Sequence, residues 1–231
     1  TQVVCLGPNV LVDTTSVSPG NLTLNPAPGE TKAVIGHSSR TSSMNLNSMS
    51  GAGMDFLINN LGSSSSVVLA NLILTKQRNA PLLKINSTSI DPSSKIEIVD
   101  TSFGTPGAPL QATGISSSTV TAALRDMLIQ RSEFYLDPVP WTSTIAAVDL
   151  FMINSFSNIQ LLNLKVRGSA NGGSSANVDG VVLHGFGNSG MIRVQNLDFI
   201  GDGKGLFADS TSGGNLYNLE VLGSRIEVQD S

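Results

Sequence analysis

The stretch Ile159–Val166, IQLLNLKV, decides the fold, because five further octets superpose on it without gaps. They are VVLANLIL (Val67–Leu74), IEIVDTSF (Ile96–Phe103), MLIQRSEF (Met127–Phe134), IRVQNLDF (Ile192–Phe199) and LEVLGSRI (Leu219–Ile226). The fifth place of each octet holds a polar residue or glycine: Asn71, Asp100, Arg131, Asn163, Asn196 and Gly223. Successive pivots are 29, 31, 32, 33 and 27 residues apart. The period is about thirty residues, within the range of solenoid repeats.

The aligned columns separate inward from outward positions. The first column (Val67, Ile96, Met127, Ile159, Ile192, Leu219) and the third (Leu69, Ile98, Ile129, Leu161, Val194, Val221) are wholly apolar. The eighth (Leu74, Phe103, Phe134, Val166, Phe199, Ile226) is apolar too, while the sixth mixes Leu with Thr101, Ser132 and Ser224. Apolar residues two apart mark strands with one buried face. Places one and three point inward before the pivot and places six and eight after it, so two short strands meet at a bend. Asn, Asp and Gly suit the bend because they tolerate left-handed backbone angles, and Arg131 departs from that pattern.

Between the octets runs a weaker series: DFLINN (Asp55–Asn60), PLLKIN (Pro81–Asn86), DLFMIN (Asp149–Asn154), GVVLHG (Gly180–Gly185) and GLFADS (Gly205–Ser210). It reads as a third strand per repeat. Gly-, Ser- and Asn-rich links such as Ser169–Ser175 and Gly201–Gly205 read as turns. Three short strands per period, with no sustained helical periodicity, predict an all-β chain: a single-stranded parallel β-helix, or β-solenoid, over residues 51–231. Residues 1–50 show strand-like alternation broken by Pro and Gly but do not fit the repeat, and are expected to form an N-terminal capping or assembly segment. From Gly53 to Val228 the chain resembles the right-handed parallel β-helix superfamily in repeat architecture. Its members include pectate-lyase-like enzymes, phage tailspikes and depolymerases, and bacterial surface and autotransporter passenger domains.

Composition narrows the class further. Of 231 residues, 13% are charged and 40% apolar, with a net charge of −4. A disordered chain would combine low hydrophobicity with high net charge, and a coiled coil would be rich in Glu, Lys, Ala and Leu. With 13 basic residues against 17 acidic ones there is no basic footprint for nucleic acid. Apolar runs such as Val67–Leu74 fall short of the roughly 18 residues of a membrane span, so no transmembrane segment is expected. The lone Cys5 excludes an intrachain disulfide framework and a cysteine-based zinc cluster.

The outward columns carry the residues capable of chemistry. Glu133, Lys165, Asp198 and Arg225 share one column and alternate in sign, which predicts a ladder of opposite charges at about 4.8 Å spacing. A second column sets Arg193 beside Glu220. Glu133 and Asp198, two coils and roughly 9.6 Å apart, are the weak candidates for the two carboxyl groups of glycoside cleavage. Lys165 between them favours ionisation of both, which suits an ion ladder better than a general acid. Glu133, Lys165, Asp198 and Arg225, together with Trp141 in DPVPWTST, are the candidate contacts for a glycan or a partner chain. Asp55, Asp149 and Asp179 are expected to serve turns and strand edges. His37 and His184 have no His, Cys or acid near them at metal-ligand spacing, and read as solvent-facing or packed. No cofactor or metal site is expected. The sequons at Asn21 and Asn86 make glycosylation a minor expectation.

The chain begins at Thr1 without a basic-then-apolar leader, which suggests a processed or secreted product. After the final bent pair only Gln229, Asp230 and Ser231 remain, so covering of that end by another subunit, or excision from a longer protein, is expected. These features point first to a non-enzymatic structural solenoid, extracellular or on a cell or virion surface, that self-assembles into a fibre, sheath, spike or surface layer. The alternative is a polysaccharide-binding or polysaccharide-degrading module; if enzymatic, it would be a lyase or glycoside hydrolase.

Overall fold

The computed structural model describes residues 1–13, 21–46, 56–59, 61–76, 80–86, 93–117, 126–138, 143–151, 158–169, 176–184, 191–209 and 219–229. Trp141 and Asp55 lie outside these residues. The strands, numbered in chain order, build three parallel sheets. The first is eight-stranded: β1 (Gln2–Cys5), β4 (Thr31–Ile35), β7 (Ser66–Ala70), β10 (Lys95–Val99), β13 (Asp126–Gln130), β16 (Asn158–Leu162), β19 (Met191–Gln195) and β22 (Leu219–Leu222). The second, also eight-stranded, holds β2 (Leu11–Asp13), β5 (Ser42–Asn45), β8 (Leu72–Thr75), β11 (Ser102–Phe103), β14 (Glu133–Leu136), β17 (Lys165–Gly168), β20 (Asp198–Gly201) and β23 (Arg225–Val228). The third has seven strands: β3 (Leu22–Leu24), β6 (Phe56–Asn59), β9 (Leu83–Asn86), β12 (Ile115–Ser117), β15 (Ile145–Phe151), β18 (Val178–His184) and β21 (Leu206–Asp209). The chain visits the sheets in turn, so it is a β-solenoid with three strands per coil. Among the described residues no helix is long and apolar enough to cross a membrane.

The register reproduces the aligned columns. Val67 pairs with Ile96, Ile96 with Met127, Met127 with Ile159, Ile159 with Ile192 and Ile192 with Leu219. The eighth column runs in the same way from Leu74 through Phe103, Phe134, Val166 and Phe199 to Ile226. Within it the rings of Phe103 and Phe134 stack at 4.6 Å between centroids. Leu69, Ile98, Ile129, Leu161 and Val194 are fully buried in one continuous core. Thr101 and Ser132 in the mixed sixth column are buried as well. Each donates its hydroxyl to a carbonyl two residues earlier, Val99 O and Gln130 O, both at 3.1 Å, which removes the penalty of burying an unpaired hydroxyl.

Every pivot has a left-handed backbone: φ is 57° at Asn71, 51° at Asp100, 49° at Arg131, 54° at Asn163, 53° at Asn196 and 57° at Gly223. One such residue turns the chain sharply enough that the inward set changes phase without a loop. The pivot amides pair forward onto the next coil, as Asn163 N donates to Gln195 O at 2.8 Å and Asn196 N to Leu222 O at 2.8 Å. Side chains stack too: the Asn196 amide donates to Asn163 Oδ1 at 2.8 Å. A Cβ at Gly223 would come within 2.6 Å of Asn196 Oδ1, so glycine there is a packing requirement as well. Arg131 fits the column through Asp100, to which its Nε and Nη2 donate at 3.0 and 2.7 Å. Arg40, in the loop between β4 and β5, pairs with the same carboxylate.

The solenoid starts earlier than the octets indicate. The octet pattern does not extend into residues 1–50, yet β1 to β5 there belong to the three sheets, with Gln2 opposite Lys32, Leu11 opposite Ser43 and Leu22 opposite Phe56. The octet is hidden there because a loop from Gly36 to Thr41 replaces the single pivot, with the left-handed residue displaced to Arg40 at φ 54°. The third strand series also shifts. The strand near DLFMIN is Ile145–Phe151, and β3 and β12 have no counterpart in the series read from sequence.

Two outcomes follow from this bend. Replacing Asn163 by Val should destabilise the protein by about 1–2 kcal/mol, because a branched side chain resists the left-handed region, whereas Asn163→Gly should be far milder; denaturant midpoints separate the two. Arg131 and Arg40 hold the Asp100 carboxyl below its ordinary value of 3.8, against the opposing effect of partial burial. Its contribution, about 1 kcal/mol at this exposure, is therefore present above the ordinary Asp range and lost as pH falls through the lowered value. Asp100→Asn keeps the bend and should lose that acid-side slope, read as the pH dependence of the urea midpoint.

Candidate functional site

The outward column of the second sheet carries charge but not a continuous ladder. The register places Glu133, Lys165, Asp198 and Arg225 side by side. Lys165 Nζ lies 3.8 Å from Glu133 Oε2 and donates to Tyr135 Oη at 3.0 Å, while Tyr135 donates to Glu133 Oε2 at 2.7 Å. Tyr135 and then Glu133 hold the Lys165 ammonium above its usual range, against an opposing desolvation effect. Asp198 turns away from Lys165 to Arg167, whose Nη1 also donates to Val166 O at 2.8 Å and Asp198 O at 2.9 Å. The guanidinium wins because its planar fork serves several acceptors at once, which an ammonium cannot match in fixed geometry. Arg225 pairs within its own strand to Glu227 at 2.6 Å. The expected ladder thus resolves into three separate pairs, and Glu133 and Asp198 each have a cation of their own. The neighbouring expectation holds: Arg193 Nε donates to Glu220 Oε2 at 2.7 Å.

The outer face of the third sheet is chemically richer. Two of its columns run Asp149, Val182, Phe207 and Phe151, His184, Asp209. His184 is thereby enclosed: Nδ1 lies 3.0 Å from Asp209 Oδ2, Nε2 lies 3.5 Å from Asp149 Oδ1, and the ring stacks on Phe151 at 4.3 Å. Phe207 meets the imidazole edge-on at 6.2 Å. Two acids and two aromatic rings therefore fix one histidine, although none of them is near it in sequence.

A turn completes the face. Gly201 to Gly205 folds back on the start of β18: Asp202 Oδ1 accepts from Val178 N at 2.8 Å, Gly203 N donates to Val178 O at 3.1 Å, and Lys204 N donates to Asp179 Oδ1 at 2.7 Å. A Cβ at Gly203 would collide with Asp179 Oδ1 and the Val178 carbonyl, so only glycine lets the turn sit this close. The turn delivers Lys204, whose Nζ rests 3.8 Å from the centroid of the Phe207 ring. Asp149, Asp179, His184, Lys204 and Phe207 then line one groove of about 230 Å³, with Thr113 and Thr144 at its other side.

Electrostatics distinguish this groove from the ion pairs of the second sheet. Burial pushes the Asp149 carboxyl above its ordinary range, His184 draws it back and Asp179 adds to the rise. Asp179 is raised by burial as well, offset by the Lys204 amide and ammonium. Asp149 Oδ1 is shielded from solvent and has no hydrogen-bond partner, since its approach to His184 at 3.5 Å is electrostatic only. Asp198 Oδ1 on the second sheet is likewise buried without a partner, but its carboxyl is engaged by Arg167, whereas Asp149 lines the groove. Groups of three or more metal-ligating side chains are absent among the described residues.

The reading of Asp179 as a strand-edge hydrogen-bonding residue holds in its bond to the Lys204 amide. His184 is a packed histidine, one of the two expected outcomes, stacked on Phe151; parallel pairing adds Asp149 and Asp209 from adjacent coils, neighbours that no local spacing reveals. Aligning the third-strand series on Phe151, His184 and Asp209 is the signal that would have exposed the cluster. Of the other residues singled out, Cys5 is an exposed free thiol, and His37 makes local contacts, its Nδ1 2.8 Å from Ser39 Oγ.

No protein-family model, no curated protein and no solved structure matches this chain.

Proposed function

We propose that the protein is a carbohydrate-binding β-solenoid acting outside the cytoplasm, on a cell or virion surface, and that it holds a polysaccharide along the outer face of its third sheet. The observation that carries this is the groove formed by Asp149, Asp179, His184, Lys204 and Phe207. Sugars combine apolar C–H faces with dense hydroxyl groups, and a groove with an aromatic wall and a few fixed polar atoms answers both. A parallel solenoid suits a polymer because each coil repeats the same outward positions along one axis. Glu133 and Asp198 lie on the second sheet, away from the groove, and each is engaged by a cation, so that pair supports a binding surface better than a cleavage site.

In affinity electrophoresis across a panel of polysaccharides, at least one should retard the protein. His184→Ala and Phe207→Ala should each weaken that retention on the order of tenfold, equivalent to about 1.4 kcal/mol, while Glu133→Gln leaves it unchanged. Retention that survives both groove substitutions would place the ligand elsewhere.

A further inference from the structure

The chemical class of the ligand follows from which charges the groove already satisfies, given that the groove binds a glycan at all. Its fixed acids are Asp149 and Asp179, with Asp209 behind His184. Its aliphatic cation, Lys204, comes from an exposed position on the Gly201–Gly205 turn and forms no ion pair within 4.0 Å among the described residues. Instead its ammonium sits over the Phe207 ring at 3.8 Å. The face of an aromatic ring attracts a cation through its quadrupole, more strongly where water is partly excluded. Lys204 therefore marks a place in the groove that takes an ammonium group, and its long flexible side chain can leave that place at little cost.

The remaining polar atoms are of the same character. Asp149 Oδ1 is a desolvated acceptor without a donor, and Asp179 Oδ1 is held in place by a backbone amide. A carboxylate-bearing sugar would add negative charge beside both acids, which like-charge repulsion disfavours. A sugar amine would donate to the acids and lie over Phe207, and charge-assisted bonds of that kind are stronger than those made by hydroxyl groups.

We propose that the groove binds an amino-sugar polymer, whose ammonium groups displace Lys204 from the Phe207 ring and donate to Asp149 and Asp179. Lys204 is then an internal competitor for the site and not a ligand contact. This assignment reverses the sign expected of one substitution: removing a lysine strengthens binding of the cationic ligand.

Fluorescence anisotropy with labelled hexamers of glucosamine, glucose and galacturonate, on the full chain at mildly acidic pH, where the glucosamine amines are charged and galacturonate is still ionised, tests the assignment. The glucosamine hexamer should bind best and lose affinity as salt rises. Lys204→Met, at an exposed position that leaves the core intact, should tighten that binding several-fold, and Asp149→Asn and Asp179→Asn should each weaken it on the order of tenfold. Circular dichroism of the two Asn variants checks that they remain folded. Preferential binding of galacturonate, lost in Lys204→Met, would overturn the amino-sugar assignment and keep the glycan-binding reading. Equal binding of the glucose hexamer, or weaker glucosamine binding in Lys204→Met, would overturn it in the same way. Binding of none of the three hexamers, by the parent or any variant, would overturn the assignment, and failure of the wider polysaccharide panel as well would remove the glycan-binding reading beneath it.

Discussion

From β7 onward the architecture depends on the one residue held at positive φ between the first- and second-sheet strands of each coil. Because Asn71, Asp100, Arg131, Asn163, Asn196 and Gly223 all adopt the left-handed region, the first- and second-sheet strands join without a loop, and their buried faces meet in one core. A looser bend would let each pair drift in register, and a slip of one residue exchanges the inner and outer faces of a strand. The constraint therefore acts twice, fixing direction and phase together. Its cost at non-glycine positions is offset locally, by stacked amides at Asn163 and Asn196 and by guanidinium–carboxylate contacts at Asp100 and Arg131.

Legibility follows the same logic. The first two sheets can be read from sequence because a fixed one-residue joint keeps the octet spacing intact, so six segments align by eye and their columns survive in the register. Where the joint is a longer loop, as between β4 and β5, the spacing dissolves and the coil hides; residues 1–50 escape the repeat pattern for that reason. The third sheet is only partly legible because turns of varying length separate its strands, and β12 offers three residues with a single strong apolar side chain, Ile115.

The groove is legible only through an alignment of the third-strand series, not through any motif. Asp149, His184 and Asp209 belong to different coils and obey no local spacing, so a search for metal or catalytic motifs passes over them. Parallel stacking creates neighbours at a distance of one period, and that period varies. The charged column of the second sheet shows the opposite limit. There the register is plain from sequence but partner choice is not, because Arg167 outcompetes Lys165 for Asp198 by hydrogen-bonding geometry that a column of signs does not encode.

The contact of Arg40 with Asp100 reaches further than any other ion pair described. Arg40 precedes β5, Asp100 follows β10, and β7 lies between β4 and β10 in the first sheet. The contact thus straps across an intervening coil, while Arg131 grips the same carboxylate from the far side. Under a load drawn along the solenoid axis, peeling these coils apart one at a time breaks this pair as well as the hydrogen bonds between neighbours, so the region resists tension more than a stretch whose described ion pairs join adjacent coils alone.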